Sequence, residues 1–228
     1  MSGQRLVVFD MDGTLVDSEA HIVLAMTHAY ESIGKPAPRR EDIHAIIGLS
    51  LPVAFARLSP QGFGQHGPAL DAAYRSAYAD LRHRHGAAVS SPMFKGAREA
   101  LMQIGSEAGT LLGVATGKSR RGLDALITAH GLQGCFATTQ VADDHPSKPD
   151  PSMLTTALAQ TGVEAANAVM IGDTSYDIKM GHAAGFATVG VGWGYHPADA
   201  LMRAGADIVV DAFSDLTGAL NSLWGAKA

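Results

Sequence analysis

Two carboxylates, one residue apart, follow a short apolar run near the start of the chain. Residues 6–9 read as a buried strand, and Asp10 and Asp12 come directly after it, with Gly13 behind them. Because side chains two apart along a strand point the same way, both carboxylates are expected to face one site. One aspartate carboxylate can attack phosphorus and form an aspartyl-phosphate, while the second protonates the leaving oxygen and later activates water. Each of these two tasks needs its own carboxylate on the same face, although Asp and Gly are also typical of an ordinary turn after a strand.

Polar residues with matching chemistry follow other apolar runs of the sequence. The carboxyl ends of parallel strands are where open α/β folds bind their ligands. Crowded carboxylates at that edge require a hard cation such as Mg²⁺, while an ammonium, a hydroxyl and a helix N-terminus suit a phosphoryl group. The sequence therefore predicts a Mg²⁺ site beside a phosphate site. The residues proposed for these sites, besides Asp10 and Asp12, are Thr116, Gly117, Lys148, Asp173 and Asp177.

The elements that must position these residues alternate between short apolar runs and longer amphipathic stretches. Predicted strands cover residues 6–9, 110–115, 135–137, 168–171, 187–191 and 208–210. Predicted helices between them cover residues 96–106, 119–130, 151–161 and 175–184. This alternation is typical of an α/β fold: a doubly wound, mostly parallel sheet with a Rossmann-like core and helices on both faces.

One long stretch after the first strand breaks this alternation. Between residues 16 and 86, apolar residues recur at helical spacing, as Val23, Met26 and Tyr30 do, and no convincing strand is found. We therefore predict an all-helical cap over residues 16–89, inserted into an α/β core made of residues 1–15 and 90–228. Segments rich in Gly and Pro, at residues 34–40 and 59–68, are predicted as loops within this cap.

The composition limits the classes of partner. The chain has 228 residues, is 46% hydrophobic and carries a net charge of -5, which does not favour binding to nucleic acid or to an anionic membrane surface. No apolar run approaches the ~20 residues of a membrane span. Cys135 is the single cysteine, which is compatible with a reducing compartment. We predict a cytoplasmic monomer or weak dimer that acts on a small phosphorylated metabolite.

Four short motifs, taken in order, resemble those of the haloacid dehalogenase-like hydrolase superfamily and, within it, phosphoglycolate phosphatase-like enzymes. They are "DMDGT", the Thr of "VATG", the Lys of "SKPDP" and "GDTSYD", and the resemblance covers nearly the whole chain. It implies a phosphatase whose helical cap closes over the site and selects the substrate. It also implies that Asp10 is the nucleophile and Asp12 the general acid and base.

The same resemblance implies how the phosphoryl group and the metal are held. Thr116 and Lys148 would bind the phosphoryl group, and Lys148 would also steady the nucleophile. The expected activity is Mg²⁺-dependent hydrolysis of a small phosphate monoester through an aspartyl-phosphate, with phosphoglycolate as a possible substrate. The ligands implied for Mg²⁺ are Asp10, the backbone carbonyl of Asp12, and Asp173, with Asp177 in support.

Other activities are alternatives to a phosphatase. Sugar-phosphate mutases resembling β-phosphoglucomutase carry a cap loop of the form G-x-S-R and a histidine twelve residues after the nucleophile. Here Leu51 stands where that arginine would be, and His21 lies one residue early. Dehalogenases of 2-haloacids lack the acid that corresponds to Asp12, and a non-catalytic phosphate-sensing module would not need the full set of site residues. These departures favour a phosphatase.

The cap loop "IIGLSLP" is expected to face the site and to select the substrate through Leu49 and Ser50. The loop has no arginine, whose planar fork is the natural bidentate partner of a substrate carboxylate. Phosphoglycolate is therefore only one candidate among small phosphate monoesters.

Overall fold

Six short strands form one parallel sheet in the computed structural model, which describes residues 3–59 and 63–225. The strand order is β3-β2-β1-β4-β5-β6, and every neighbouring pair is parallel. The first strand in the chain thus lies inside the sheet, and the chain proceeds from it in both directions, which creates a ligand-binding crevice at its carboxyl end. The strands are β1 (Arg5–Phe9), β2 (Thr110–Thr116), β3 (Thr138–Val141), β4 (Ala168–Gly172), β5 (Ala187–Val191) and β6 (Ile208–Val210).

Helices cover both faces of this sheet, which confirms the predicted fold class. Side chains alternate along β1, so that Val7 and Phe9 pack into one apolar cluster and Leu6 and Val8 into another on the opposite face. All four side chains are fully buried. The core helices are α6 (Ala97–Ser106), α7 (Arg120–Ala129), α8 (Ser152–Thr161), α9 (Ser175–Ala183), α10 (Ala198–Arg203) and α11 (Leu216–Gly225), with short 3₁₀ turns at Ala165–Asn167 and Phe213–Asp215.

In the described part of the chain six helices lie between β1 and β2, and we call the first five of them, which precede the core helix α6, the helical insert. Within the described residues 19–59 and 63–90 there is no strand. The insert packs around an apolar cluster that includes Met26, Ile43, Phe55 and Leu70 and that Tyr176 of α9 joins from the core. Its members are α1 (Glu19–Ser32), α2 (Arg40–His44), α3 (Leu51–Leu58), α4 (Phe63–His85) and α5 (Ala87–Ser90).

The two connections between the helical insert and the sheet run side by side. Val16 forms an antiparallel bridge with Met93, and the Asp17 backbone N–H donates to the Pro92 carbonyl at 2.8 Å. The insert is therefore joined to the core at a single place, close to the end of β1.

The structure corrects the predicted third strand. Residues 135–137 were expected to pair, but the strand begins at Thr138. The Cys135 N–H donates back to the Leu132 carbonyl, so Cys135 closes a turn, and the Ala137 N–H donates to the Leu112 carbonyl of β2 just before the strand begins. The true strand was missed because it carries polar side chains: Thr138 and Gln140 are buried, and both hydrogen bond to Gln160.

Other boundaries differ from the prediction by a residue, and the loop predicted before α4 differs by more. The loop predicted over residues 59–68 is helical from Phe63, and Pro68 lies inside α4; residues 60–62 are outside the described part of the chain. Helix α8 begins at Ser152, one residue later than predicted, because Pro151 occupies the capping position. The Asp150 carboxylate accepts the Ser152 N–H at 2.9 Å, so this side chain still caps the helix start. Among the described residues, no helix is both long and apolar enough to cross a lipid bilayer.

Candidate active site

A buried ion pair lies at the carboxyl end of β1. Oδ1 of Asp10 accepts the Met11 N–H at 2.6 Å and lies 3.0 Å from the Lys148 ammonium. The same ammonium donates to Oδ1 of Asp177 at 2.7 Å, and all three charged side chains are buried. Buried charges need such partners, because taking an unpaired charge out of water is costly.

The acidic groups at this point outnumber the cations. Carboxylate oxygens of Asp10, Asp173 and Asp177 lie within 4.8 Å of one another, and Lys148 balances only one of the three charges. Oδ2 of Asp10 is buried and has no hydrogen-bond partner among the described residues. Burial raises the pKa of Asp10 to about 7 although Lys148 opposes the shift, and burial together with Asp177 also raises the pKa of Asp173. The cluster therefore suits a divalent cation that prefers oxygen ligands, since such an ion would supply the missing positive charge.

Asp173 is fixed by the backbone and by one hydroxyl. Thr14 Oγ1 donates to its Oδ1 at 2.9 Å, and the Tyr195 N–H donates to its Oδ2 at 2.9 Å. Gly13 has a φ of +83°, and a Cβ there would lie 2.2 Å from Oδ2 of Asp173. Position 13 thus needs glycine both for its left-handed backbone and for the space that this carboxylate takes.

Asp177 has a double role in holding the site together. Its Oδ2 accepts the Thr174 N–H at 3.0 Å and the Thr174 hydroxyl at 2.7 Å, which completes a capping box at the start of α9. A threonine followed three residues later by an aspartate, as in "GDTSYD", is a sequence pattern from which such a cap can form. Since its other oxygen accepts from Lys148, Asp177 fixes the position of the ammonium that also contacts Asp10.

Asp12 contacts a different lysine from Asp10. Strand β1 ends at Phe9, so the alternation expected to align the two carboxylates does not extend to Asp12. Its Oδ1 lies 2.8 Å from the Lys118 ammonium and accepts a hydrogen bond from the Ser18 hydroxyl. Although burial opposes the charge, Asp12 and nearby tyrosines raise the pKa of Lys118 above its ordinary value. The general acid expected from the sequence is therefore held by the Lys118 ammonium.

Sequence reasoning overlooked several residues that shape this site. Lys118 directly follows Gly117 in "GVATGKS", and its place beside the strand end was the one available signal. Thr14 and Ser18 lie close to "DMDGT" in sequence, but hydroxyl-bearing residues are common at chain turns and carry no signal by themselves. Tyr195 acts on Asp173 through its backbone N–H, which any residue but proline could supply.

The end of β2 brings the phosphate candidates against the helical insert. Thr116 is fully buried as the last residue of β2, and its hydroxyl accepts the Lys118 N–H at 3.2 Å. A Cβ on Gly117 would lie 2.6 Å from the Gly48 carbonyl oxygen, so glycine allows this backbone contact between core and insert. The Ser50 N–H donates to the Ser147 hydroxyl at 2.9 Å, close in sequence to Lys148.

A cavity of about 600 Å³ lies between the insert and the core. Asp12, Gly117 and Lys118 contribute to its wall on the core side. Leu49 and Ser50, expected from the sequence to face the site, line it from the insert, and so do Tyr74 and Tyr78 of α4. The general acid candidate thus borders a space large enough for a substrate.

Comparisons with known proteins agree with this geometry. The model of the family described as haloacid dehalogenase-like hydrolase matches residues 7–191. A protein named "Probable phosphatase IndB", from Dickeya dadantii, is 37% identical over 220 residues, which cover 96% of this chain and 94% of that protein. A phosphoglycolate phosphatase from Vibrio parahaemolyticus is 27% identical over 216 residues, covering 93% of this chain and 94% of that protein. The crystal structure of a hydrolase from Pseudomonas syringae is also similar, with a TM-score of 0.83, 26% identity, and coverage of 96% of this chain and 98% of that one.

Proposed function

Since the chain belongs to the haloacid dehalogenase-like hydrolases and is a phosphoric monoester hydrolase, we propose that it is a Mg²⁺-dependent phosphatase acting on a small-molecule ester through an aspartyl-phosphate on Asp10. The observation that carries this proposal is the Asp10 carboxylate at the end of β1. One of its oxygens is held by Met11 and Lys148, and the other is buried without a partner among the described residues. Such a carboxylate is fixed in place yet keeps an oxygen free for further bonds.

In the proposed reaction each carboxylate of the "DMDGT" motif has its own task. An Asp10 oxygen forms a bond to phosphorus as the ester P–O bond breaks, and Asp12 gives its proton to the leaving oxygen. Asp12 then takes a proton from water, which attacks phosphorus and releases phosphate from Asp10. Thr116, Gly117 and Lys148 are proposed to bind the phosphoryl oxygens.

We propose that Mg²⁺ is held by Asp10, the backbone carbonyl of Asp12, and Asp173, with Asp177 in support. The support comes from the two unbalanced negative charges of the buried acidic cluster and from the orphaned Oδ2 of Asp10. When bound, the ion would neutralise charge on the carboxylates and on the phosphoryl oxygens.

The helical insert, within residues 16–89, is proposed to act as a cap over the core of residues 1–15 and 90–228. Several contacts between insert and core support this proposal. Besides the approach of Gly48 to Gly117, the Arg57 guanidinium donates to the Tyr176 hydroxyl at 2.6 Å, and that hydroxyl donates to the Ala45 carbonyl. A closed cap excludes water from the reaction and limits the substrate to small molecules. A cytoplasmic location and a monomeric or weakly dimeric state stay predictions of the sequence.

The cavity does not favour the sugar-phosphate mutase alternative. Leu51, which stands in place of the mutase arginine, lines the cavity with an aliphatic side chain. Ile22, which stands in place of the mutase histidine, also lines it. Neither side chain can bind a second phosphate group or carry a proton.

A chemical trap tests the covalent intermediate. During turnover of p-nitrophenyl phosphate, we expect acid quenching followed by borohydride to convert the acyl phosphate at Asp10 into homoserine, because borohydride reduces acyl phosphates but not free carboxylates. Peptide mass spectrometry of the quenched protein would locate the change. Enzyme quenched without substrate is the control. Active enzyme that never yields homoserine at Asp10, even when quenched within one turnover, would contradict the covalent route.

Replacing Lys118 tests the proposed role of Asp12. Lys118→Met removes the ammonium that positions the Asp12 carboxylate, so protonation of the leaving oxygen should become less efficient. We expect kcat on ethyl phosphate, whose ethanol is a poor leaving group, to fall by about ten- to a hundredfold; this is at most the lower end of the roughly 10²–10⁴-fold contribution of general acid catalysis, because Asp12 itself is retained. The loss with p-nitrophenyl phosphate should be much smaller, because its leaving group needs little protonation. Lys179→Met, on an exposed residue of α9, is the matched control. Equal losses on both esters would argue against a role in proton transfer.

A further inference from the structure

We propose that the substrate carries a bulky and mostly apolar leaving group, at least about six carbons long, and that phosphoglycolate is a poor substrate. This inference rests on the proposed phosphatase function and names the class of ester that the cavity recognises.

The size of the cavity is the first argument. Its volume of about 600 Å³ lies within the roughly 300–1,000 Å³ of pockets that enclose drug-sized ligands. Phosphoglycolate has only two carbons beyond its phosphate, so most of this space would stay filled with water. A larger leaving group would displace that water and gain binding free energy from its burial.

The lining of the cavity indicates what this leaving group is like. The wall formed by the insert consists mostly of aliphatic and aromatic side chains from α1, α3, α4 and the connection before α3, with Ser50, Arg75 and Arg82 as its polar members besides the tyrosines. The aliphatic and aromatic side chains can offer dispersion contacts and an apolar surface, but they have few hydrogen-bonding atoms. The main contributors are Ile22, Met26, Ile46, Leu49, Leu51 and Tyr74.

The polar side chains of the lining are largely paired already. Lys118 contacts Asp12 and also donates to the Tyr78 hydroxyl at 3.2 Å. Arg75 donates to Asp71 at 2.7 Å. His145 is hydrogen-bonded on both ring nitrogens, to Gln140 and to the Ser152 hydroxyl. A sugar rich in hydroxyl groups would lose its water in this cavity and find few free partners, which costs free energy for every unpaired group.

The cavity reaches the proposed general acid, Asp12. Asp12 and Gly117 both border it, so a leaving group there would have its ester oxygen near the carboxylate that protonates it. Two arginines of the lining, Arg82 and Arg121, have no ion pair among the described residues. Arg121 is exposed and Arg82 half-buried, so an anionic tail on the substrate is the rival to an apolar one.

A series of n-alkyl phosphates tests the inference. Ethyl, butyl and hexyl phosphate have leaving alcohols of nearly equal acidity, so differences in kcat/KM report binding of the chain. Each buried methylene contributes about 0.8 kcal/mol, roughly a fourfold effect. Allowing for incomplete burial, we expect kcat/KM to rise at least about tenfold from ethyl to hexyl phosphate. Phosphoglycolate should be turned over no better than ethyl phosphate.

A charged analogue of hexyl phosphate, of equal chain length, distinguishes an apolar leaving group from an anionic one. The ester of phosphate with 6-hydroxyhexanoate carries a carboxylate at the end of a six-carbon chain. If the cavity binds an apolar leaving group, hexyl phosphate should have a higher kcat/KM than the carboxylated ester. A clear preference for the carboxylated ester, for a hexose phosphate or for phosphoglycolate would overturn the inference, and so would a flat response to chain length.

Substitutions in the cavity wall test whether the alkyl chain of the substrate binds in the cavity. Ala79 lies on α4 and lines the cavity, so Ala79→Phe fills part of it and should lower the ratio of hexyl to ethyl turnover severalfold. Ala72→Phe, on an exposed residue of the same helix outside the lining, is the matched control and should leave the ratio unchanged. If Ala79→Phe does not fold, Ala142→Leu on the core side provides the same test. An unchanged ratio in a folded wall variant would place the alkyl chain elsewhere. Absence of turnover on every ester, including p-nitrophenyl phosphate, would instead reject the phosphatase function itself.

Discussion

Asp10→Asn is expected to abolish turnover and leave the fold intact. The amide has nearly the shape of the carboxylate but cannot attack phosphorus, and loss of an essential nucleophile lowers kcat by several orders of magnitude. The measurement is kcat on p-nitrophenyl phosphate, beside the thermal midpoint Tm. Asp124→Asn, on an exposed residue of α7, is the matched control.

Asp10→Asn should not lower the thermal stability of the protein, although it abolishes turnover. Asp10 belongs to a buried cluster with more carboxylates than cations, and Lys148 would keep Asp177 as its partner. Removing one negative charge therefore relieves repulsion, so in metal-free buffer we expect the Tm of Asp10→Asn to equal or exceed that of the wild type. A purified, folded Asp10→Asn protein with near wild-type kcat would refute the covalent mechanism.

Removal of metal ions is expected to lower kcat about as much as Asp10→Asn does. We expect EDTA to silence the enzyme, Mg²⁺ to restore it, and Ca²⁺ to restore it poorly, because Ca²⁺ takes more ligands at longer distances. A direct readout that does not depend on activity is the rise of Tm with Mg²⁺ concentration, since a ligand that binds only the folded state stabilises it. Full activity in metal-free buffer would reject the metal proposal.

Two substitutions distinguish a metal ligand from a supporting residue. Asp173→Asn should weaken Mg²⁺ binding strongly, because its carboxylate is proposed as a direct ligand. Asp177→Asn should lower Tm in the absence of metal, since Asp177 holds Lys148 and caps α9, and should weaken Mg²⁺ binding less. If the metal affinities follow the reverse order, the ligand has been assigned to the wrong aspartate.

The sheet and the order of its elements could be predicted from the sequence because buried parallel strands are continuous apolar runs. Strands β1, β2, β4, β5 and β6 have this pattern, whereas β3 does not. Its buried Thr138 and Gln140 are satisfied by Gln160, a residue distant in sequence. A polar strand of this kind is recognisable only when its partners are known.

The sequence predicts which residues form the candidate site, but not which of them pair with one another. Asp10, Lys148, Asp173 and Asp177 lie close together at one edge of the sheet, because Asp10 and Asp173 directly follow strands, Lys148 precedes α8 and Asp177 lies in the first turn of α9. The pairing of Asp12 with Lys118 depends on how the chain turns after Phe9, and no residue pattern specifies that turn. The cavity depends on how five helices pack, which propensity and periodicity do not determine.

The adjacency of the two insert connections has a consequence for how such an enzyme can diversify. Because Val16 and Met93 pair with each other, the chain leaves the core and returns to it at the same point, and the β1–β2 pairing does not depend on what lies between. Insertions and replacements are tolerated best where the ends of a segment are close together. We therefore expect that the proposed cap, residues 19–90, can be replaced as a unit while the sheet and the residues at the ends of its strands are retained.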